Sequence, residues 1–547
     1  METIKVTSPS YTPKVGLSPF VKSTHFAQQG RASYSTTSVR YKQQQPRFGN
    51  AALGLSSADH LAYKIFGPIW RNRGIELLAI DMVAWAGLRT VMDLYREHFF
   101  KKTIDNKRHF NWSAARERMM LEFMGAAPDS LGLLAAAYGI AAESKKNAFS
   151  AKFVDMTTLD YFKSVVKAHP NGTSAQFVQQ LAKDIAPGHL PKVVPLVEQA
   201  LLKSAPTEKT ATSIAKLLGQ THYDVEIKGA TYALDTLLAD AKAFVSHLPN
   251  KNGSFLKQAG KLLQKTASIN AARIPLAIGI GILFNFSAPY IIQAVTRKVD
   301  KISDYPGVHG LKVLEKVDEK HPKHRGLVPY LKESLKRGNI LPILISLTPL
   351  PIILGMIDTE KLSLGCFKAS WNSPFKAGFG HRFLKTMQFS RTFPFAGAQQ
   401  MAMLYALVVF SRVASARNSI EFRERTVDAF LGWSTWILFT PWAKHHISQW
   451  LDKTQGTQLM KTVAGETTRR TESEILTLIK DKALRAKTLS RYTWLNVGSI
   501  LGTVALLGIA EPYFSIKLTE WQSRWIGRRS HRRQFNPNKP QHAGIVA

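Results

Sequence analysis

The sequence predicts an all-α protein: a multi-pass helical membrane protein with a soluble helical domain and a disordered N-terminal tail. Three observations carry that prediction. Apolar residues recur at helical spacing from Asp59 to about residue 272. Uncharged stretches near the length of a bilayer crossing follow, the first being IPLAIGIGILFNFSAPYIIQAV at 274–295. The same half is strongly basic: residues 273–547 hold 39 of the 73 Lys and Arg but 18 of the 38 Asp and Glu, hence +21 of the net +35.

Length and composition set the frame. A chain of 547 residues exceeds one compact core and suggests two to four regions of roughly 100–200 residues each. With 45% hydrophobic residues and mean hydropathy −0.11, the apolar residues must be unevenly placed if any of the chain spans. The single cysteine, Cys366, excludes an intramolecular disulfide framework and a thiolate metal cluster, and it reads as a small apolar filler.

Residues 1–55 read as a disordered basic tail, rich in Ser, Thr, Gln and Pro, with Glu2 the only acid. No apolar core of a secretory signal is visible there, while GRASYSTTSVRYK has the composition of an organelle transit peptide. Residues 56–145 form an apolar helical region with possible membrane association. IELLAIDMVAWAGLRTVMDLYREHFF (75–100) is apolar on most faces, yet Asp81 and Arg89 would each cost ~2.5–3.5 kcal/mol near a bilayer centre. Burial in protein, or a position at the interface, is the expectation. LGLLAAAYGIAA (131–142), after Pro128, Asp129 and Ser130, is too short to span alone.

Residues 146–272 read as a soluble domain of amphipathic helices. Phe162, Val165 and Val166 form one stripe, Phe177, Leu181 and Ile185 another, and Leu234, Leu237, Leu238, Ala241, Phe244 and Val245 the longest. In SFLKQAGKLLQK (254–265), Lys257, Lys261 and Lys265 share one face and Leu256, Ala259, Leu262 and Leu263 the other. That fits a helix lying on anionic lipid, or the solvated face of a bundle helix.

Residues 273–527 form the multi-pass region, with candidate spans 274–295, 339–357, 392–411, 429–443 and 492–510. Pro342, Pro349 and Pro351 suggest that the second is broken or re-entrant. The fourth is short, and Trp433, Trp436 and Trp442 suit head-group depth. If all five cross, Lys and Arg divide 20 against 22; if the second returns to its own side they divide 27 against 15, which places the basic side in the cytoplasm. Gly498 with Gly502, and Ala398 with Ala402 and Ala406, have the small-residue spacing of packed membrane helices. They imply an intramolecular bundle or a homo-oligomer.

Beyond the last span, Phe514, Leu518, Trp521 and Trp525 share one face, as in an interfacial helix. The basic tail 528–547 begins with Arg528, Arg529, Arg532 and Arg533, suited to lipid head groups. Nucleic acid is the competing partner for so basic a chain, but no folded binding module surrounds these arginines, so membrane lipids are the partner expected.

Polar groups inside the apolar segments are Asn285, Gln399 and Gln400, with Glu511 at a membrane edge. They read as hydrogen-bonded glue between helices, or as the lining of a polar intramembrane cavity. Catalytic signals are poor. His309, His321 and His324 match no zinc spacing, and HExxH, the phosphate-binding GxxxxGK[ST] loop and GxSxG do not occur. The expectation is an integral membrane protein without catalysis, cofactor or metal, acting as a scaffold that organises anionic bilayers. A transporter or lipid-handling protein is the alternative, and a basic all-α nucleic-acid binder the third.

Overall fold

The computed structural model describes residues 55–71, 73–100, 108–124, 154–169, 172–203, 205–248, 255–302, 305–308, 412–413, 415–417, 419–463 and 465–521. They are mostly helical. In chain order the elements are α1 (Ser57–Arg71), α2 (Arg73–Ile80), a π-helical stretch π1 (Asp81–Arg89) and α3 (Thr90–Leu94). Then come α4 (112–124), α5 (Met156–Ala168), α6 (Ser174–Ile185), α7 (Leu190–Leu201), α8 (Thr207–Leu217), β1 (Asp224–Ile227), β2 (Ala230–Ala233), α9 (Leu234–Ser246) and α10 (Phe255–Val299). The rest are α11 (Ser419–Trp433), π2 (Ser434–Phe439), α12 (Thr440–Gln455), β3 (Met460–Val463), β4 (Glu466–Arg469), α13 (Glu472–Leu478) and α14 (Lys482–Trp521). A π-helical turn, Leu506–Ala510, interrupts α14.

Helices α5–α9 and the start of α10 share one apolar core. Local chemistry starts them: Asp155 caps α5 by accepting from Thr158 N at 2.7 Å, and Thr173 with Gln176 forms a capping box on α6. The predicted stripes meet at its centre, where Phe162, Phe177 and Phe244 lie with ring centroids 5.2–5.3 Å apart. Two antiparallel hairpins depart from the all-helical expectation. In β1–β2 the turn residues Lys228 (φ 52°) and Gly229 (φ 73°) both occupy the left-handed region that a two-residue hairpin loop demands.

The lysine-rich start of α10 differs from the picture of a helix on lipid. Ala259, Leu262 and Leu263 are buried in the domain core, and Asn270 Nδ2 donates to Val154 O at 2.7 Å. Most of its apolar side is therefore covered by protein, while Lys257, Lys261 and Lys265 stand exposed. The helix runs unbroken for 45 residues, ~67 Å at 1.5 Å per residue.

Three further helical passages pack side by side. The passage α1–α3 runs with α14: Asp59 accepts from Trp494 Nε1 at 2.7 Å, Arg89 meets Glu511, and Phe99 meets Tyr513. The passage α11–π2–α12 runs against both: Asp428 reaches Arg89, Thr440 Oγ1 lies 3.0 Å from Thr503 Oγ1, and Lys444 pairs with Glu76 at 3.3 Å.

The three π-helical turns lie near one level, around Ala84, Trp85, Trp433, Trp436 and Leu507. Two of them precede a proline by two residues, Pro441 after Phe439 and Pro512 after Ala510. A proline cannot donate to the carbonyl four residues back and its ring crowds it; a widened turn relieves both. The prolines thus leave each passage continuous, and residues 511–521 extend α14 instead of forming a separate interfacial helix.

Trp433 and Trp436 are buried between the helices, where their indoles fill the space between the widened turns. Among the described residues, a β-carbon on Gly498 or Gly502 would meet nothing within 4 Å, so no neighbouring helix of the described chain lies close against them. The close approach is at Gly508, where a β-carbon would stand 3.2 Å from Ala84 Cα.

Candidate functional site

The apolar level gives way, toward residues 511–520 of α14, to a layer of buried charge. Its arginines come from four places: Arg89 on π1, Arg96 after α3, Arg118 on α4, and Arg412, Arg417 and Arg425 before and on α11. None could be left in apolar surroundings unpaired, and each has a carboxylate. Arg89 Nη1 donates to Glu511 Oε1 at 2.6 Å and its other amino group to Asp428. Arg96 holds Glu424 with both amino groups and Asp93 at 3.1 Å. Arg118 bridges Asp93 and Asp428, both at 3.1 Å.

The outer part of the layer is built the same way. Arg412 grips both oxygens of Glu122 at 3.1 and 2.9 Å. Arg417 grips both oxygens of Glu117 at 2.9 and 2.7 Å, and Arg425 meets Glu421 at 2.5 Å. Neutral groups complete it. Thr296 of α10 donates to Glu117 at 3.1 Å, and Tyr305 and Thr519 donate to Glu424 at 2.6 and 2.8 Å. The guanidinium of Arg89 also lies 4.9 Å from the centre of the Trp85 ring, a cation–π contact.

A cavity of about 40 Å³ opens in this layer, lined among others by Trp85, Arg118, Tyr305, Arg412, Arg425 and Asp428. A water needs about 10–15 Å³ by this measure, so it has room for two or three. Its charged lining is mixed, and the guanidiniums that face it are already held by carboxylates. Within the layer Glu511 Oε2 is buried without a donor, and the Ser515 hydroxyl stands beside Asp428.

Of the residues singled out in the sequence, Glu511 is at the heart of this layer. Asn285 falls within α10, but its side chain is outside the described residues, as are Gln399, Gln400, Ala398, Ala402, Ala406, Arg528, Arg529, Arg532 and Arg533. The candidate spans 339–357 and 392–411 also lie outside them, and those at 274–295, 429–443 and 492–510 fall on α10, on α11–π2–α12 and on α14. Sequence reasoning missed Glu421, Glu424 and Asp428. A signal was present: EFRERTVD places Glu421, Arg425 and Asp428 at helical spacing directly before the apolar run AFLGW.

No family model matches the chain, and neither a curated protein nor a solved structure is significantly similar to it.

Proposed function

We propose that the chain is a multi-pass integral membrane protein, held together from inside by ion pairs, that acts as a non-catalytic scaffold on anionic bilayers. The observation that carries this reading is the apolar outer face of α14. This helix is long and apolar enough to cross a membrane. Its buried side mixes Thr493, Asn496, Thr503, Glu511, Ser515 and Thr519 with Leu489, Val497, Ile500, Leu507 and Ile516, while its exposed side presents Trp494, Leu501, Leu506, Ile509, Tyr513 and Phe514. A helix folding against water keeps its outer face polar; this one sets large apolar side chains outside and polar groups inside, as lipid contact favours.

The dimensions agree. Trp494 and Tyr513 are both exposed aromatics at 45% and 46%, and 19 residues of helix separate them by ~28 Å, near the ~30 Å of a hydrocarbon core. Phe430 and Trp450 on the antiparallel passage, 66% and 58% exposed, are ~30 Å apart by the same rise. On the first passage the exposed side chains between α1 and Tyr95 include Ile75, Met82, Val83 and Val91, while Glu76, Arg89 and Asp93 are buried. Aromatic side chains at both interfaces are a common membrane anchor.

A scaffold fits this interior better than a transport path. Among the described residues the guanidiniums sit in pairs that tie separate passages together, and the cavity there holds only a few waters. If the hydrocarbon begins at Ile274, Lys265 stands ~13 Å from it along the helix and Lys257 ~25 Å, so Lys265 is the nearest of the three exposed lysines to the head groups.

The test is Leu501→Arg, near the middle of the exposed face of α14. Arginine there costs ~2.5–3.5 kcal/mol in lipid and almost nothing on a wetted surface. Wild-type chain is expected to stay with membranes through carbonate washing and to take up an apolar photolabel at this face, and the variant to lose much of both. Recovery of the wild type in the carbonate supernatant would sink the reading.

A further inference from the structure

Arg89 serves two carboxylates at once, Glu511 through Nη1 at 2.6 Å and Asp428 through its other amino group. All three side chains are buried, with 2%, 4% and 7% of their surface exposed. The partners are unequally supplied. Asp428 also takes a hydrogen bond from Arg118 Nη2 at 3.1 Å, whereas Arg89 is the guanidinium bonded to Glu511. Glu511 leaves one oxygen, Oε2, buried and bare, while Asp428 has the Ser515 hydroxyl beside it as a further donor.

The surroundings sharpen the imbalance. One turn before Glu511 on the same face, Leu507 packs among Trp85, Trp433 and Trp436; one turn after it lies buried Ser515. The charged groups that face Glu511 are Arg89 from π1, Asp428 from α11 and Arg118 from α4, with Asp93 behind Arg89. Two anions sharing one guanidinium in a dry setting repel each other, and a buried ionised oxygen with no donor is costly. A proton on Glu511 removes the repulsion and turns a bare acceptor into a donor. Asp428 lines the water-sized cavity.

We propose that Asp428, Arg89 and Glu511 form a proton-binding site, in which the two carboxyl groups share one exchangeable proton, carried on Glu511 and supplied through water in the adjoining cavity. Uptake takes the proton from a hydronium ion and leaves water; release returns it. The proton belongs to the pair as one titrating unit. The ligand is the proton itself, and metal ions are excluded by the flanking guanidiniums of Arg89 and Arg118. The inference stands whether lipid or protein covers the outside of the bundle, so fractionation results that overturn the membrane reading leave it intact.

Infrared spectroscopy of the purified full-length protein at neutral pH tests it. The C=O stretch of a protonated carboxyl is distinct from the two bands of a carboxylate. The wild type is expected to show such a band, shifted by isotope labelling of glutamate carboxyls and moved slowly in heavy water. Glu511→Gln, which copies the shape of the protonated acid, is expected to fold normally and to lose that band. Its absence in the wild type overturns the proposal without any variant. So does a band that Glu511→Gln leaves in place. Should Glu511→Gln fail to fold, Glu511→Asp decides: the band must leave the glutamate-labelled position, and a band that stays there belongs to another residue.

Discussion

A β-carbon on Gly508 would stand 2.8 Å from the β-carbon of Leu88, so α14 and π1 touch with no room for a side chain between them. Among the described residues nothing comparable surrounds Gly498 or Gly502, where a β-carbon would meet open space. Contact this close lets Arg89, the residue after Leu88, reach Glu511 three positions beyond Gly508. A close helix contact and a deeply buried ion pair are thus neighbours on the same two elements.

Gly508→Ala is therefore expected to destabilise the bundle by about 1–3 kcal/mol, the usual penalty for overpacking. Gly498→Ala and Gly502→Ala should be neutral or gain up to about 1 kcal/mol from the lower flexibility of alanine. Thermal unfolding followed by circular dichroism in one detergent ranks the three. Equal effects at all three glycines would mean that α14 does not lie against π1 at Leu88.

The contrast shows what a single sequence carries. Helical period was legible: Phe177, Leu181 and Ile185 are all buried on α6, because local spacing alone sets which side of a helix is apolar. The small-residue spacing of Gly498 and Gly502 was equally visible, but spacing does not say which face meets a neighbour. Gly508 has no small partner four residues away in the expected register and went unnoticed. The ionic layer was hidden for a different reason. Arg89 and Glu511 are 422 positions apart, and nothing local to either names the other. Glu511 stood out only because it ends an apolar run. The hairpins escaped because strands of four residues are too short for alternation to stand out from a helical background.

Arg96 gives the sharpest test of the ionic layer. It is fully buried and holds Glu424 with both amino groups, at 2.7 Å to Oε1. Arg96→Met leaves Glu424 with the hydroxyl donors Tyr305 and Thr519 and no opposite charge in bonding contact. Loss of one partner from such a pair is expected to destabilise by about 3–5 kcal/mol. Arg96→Met with Glu424→Met removes both charges and should be less harmful than the sum of the single changes, with a coupling of about 1–3 kcal/mol. Additive losses in the double-mutant cycle would show that the two side chains do not interact.

The core shared by α5–α9 makes a separate prediction, in alkaline solution. Burial raises the hydroxyl pKa of Tyr161 well above its usual value, and the nearby Asp184, which accepts its hydrogen bond at 2.8 Å, adds to the rise. Burial raises that of Tyr232 as well, with Asp155 and Asp160 contributing. In the unfolded chain both titrate near pH ~10. Below that value folded and unfolded states hold the same protons, so these groups give no pH dependence. Above it the unfolded chain sheds protons that the folded core retains, and each tyrosine withdraws up to about 1.4 kcal/mol of stability per pH unit. The domain is expected to unfold cooperatively as the pH climbs past 10, with tyrosinate absorbance and loss of helix rising together. Tyr161→Phe should move that midpoint to higher pH; a midpoint unchanged in this variant would place the Tyr161 hydroxyl in water.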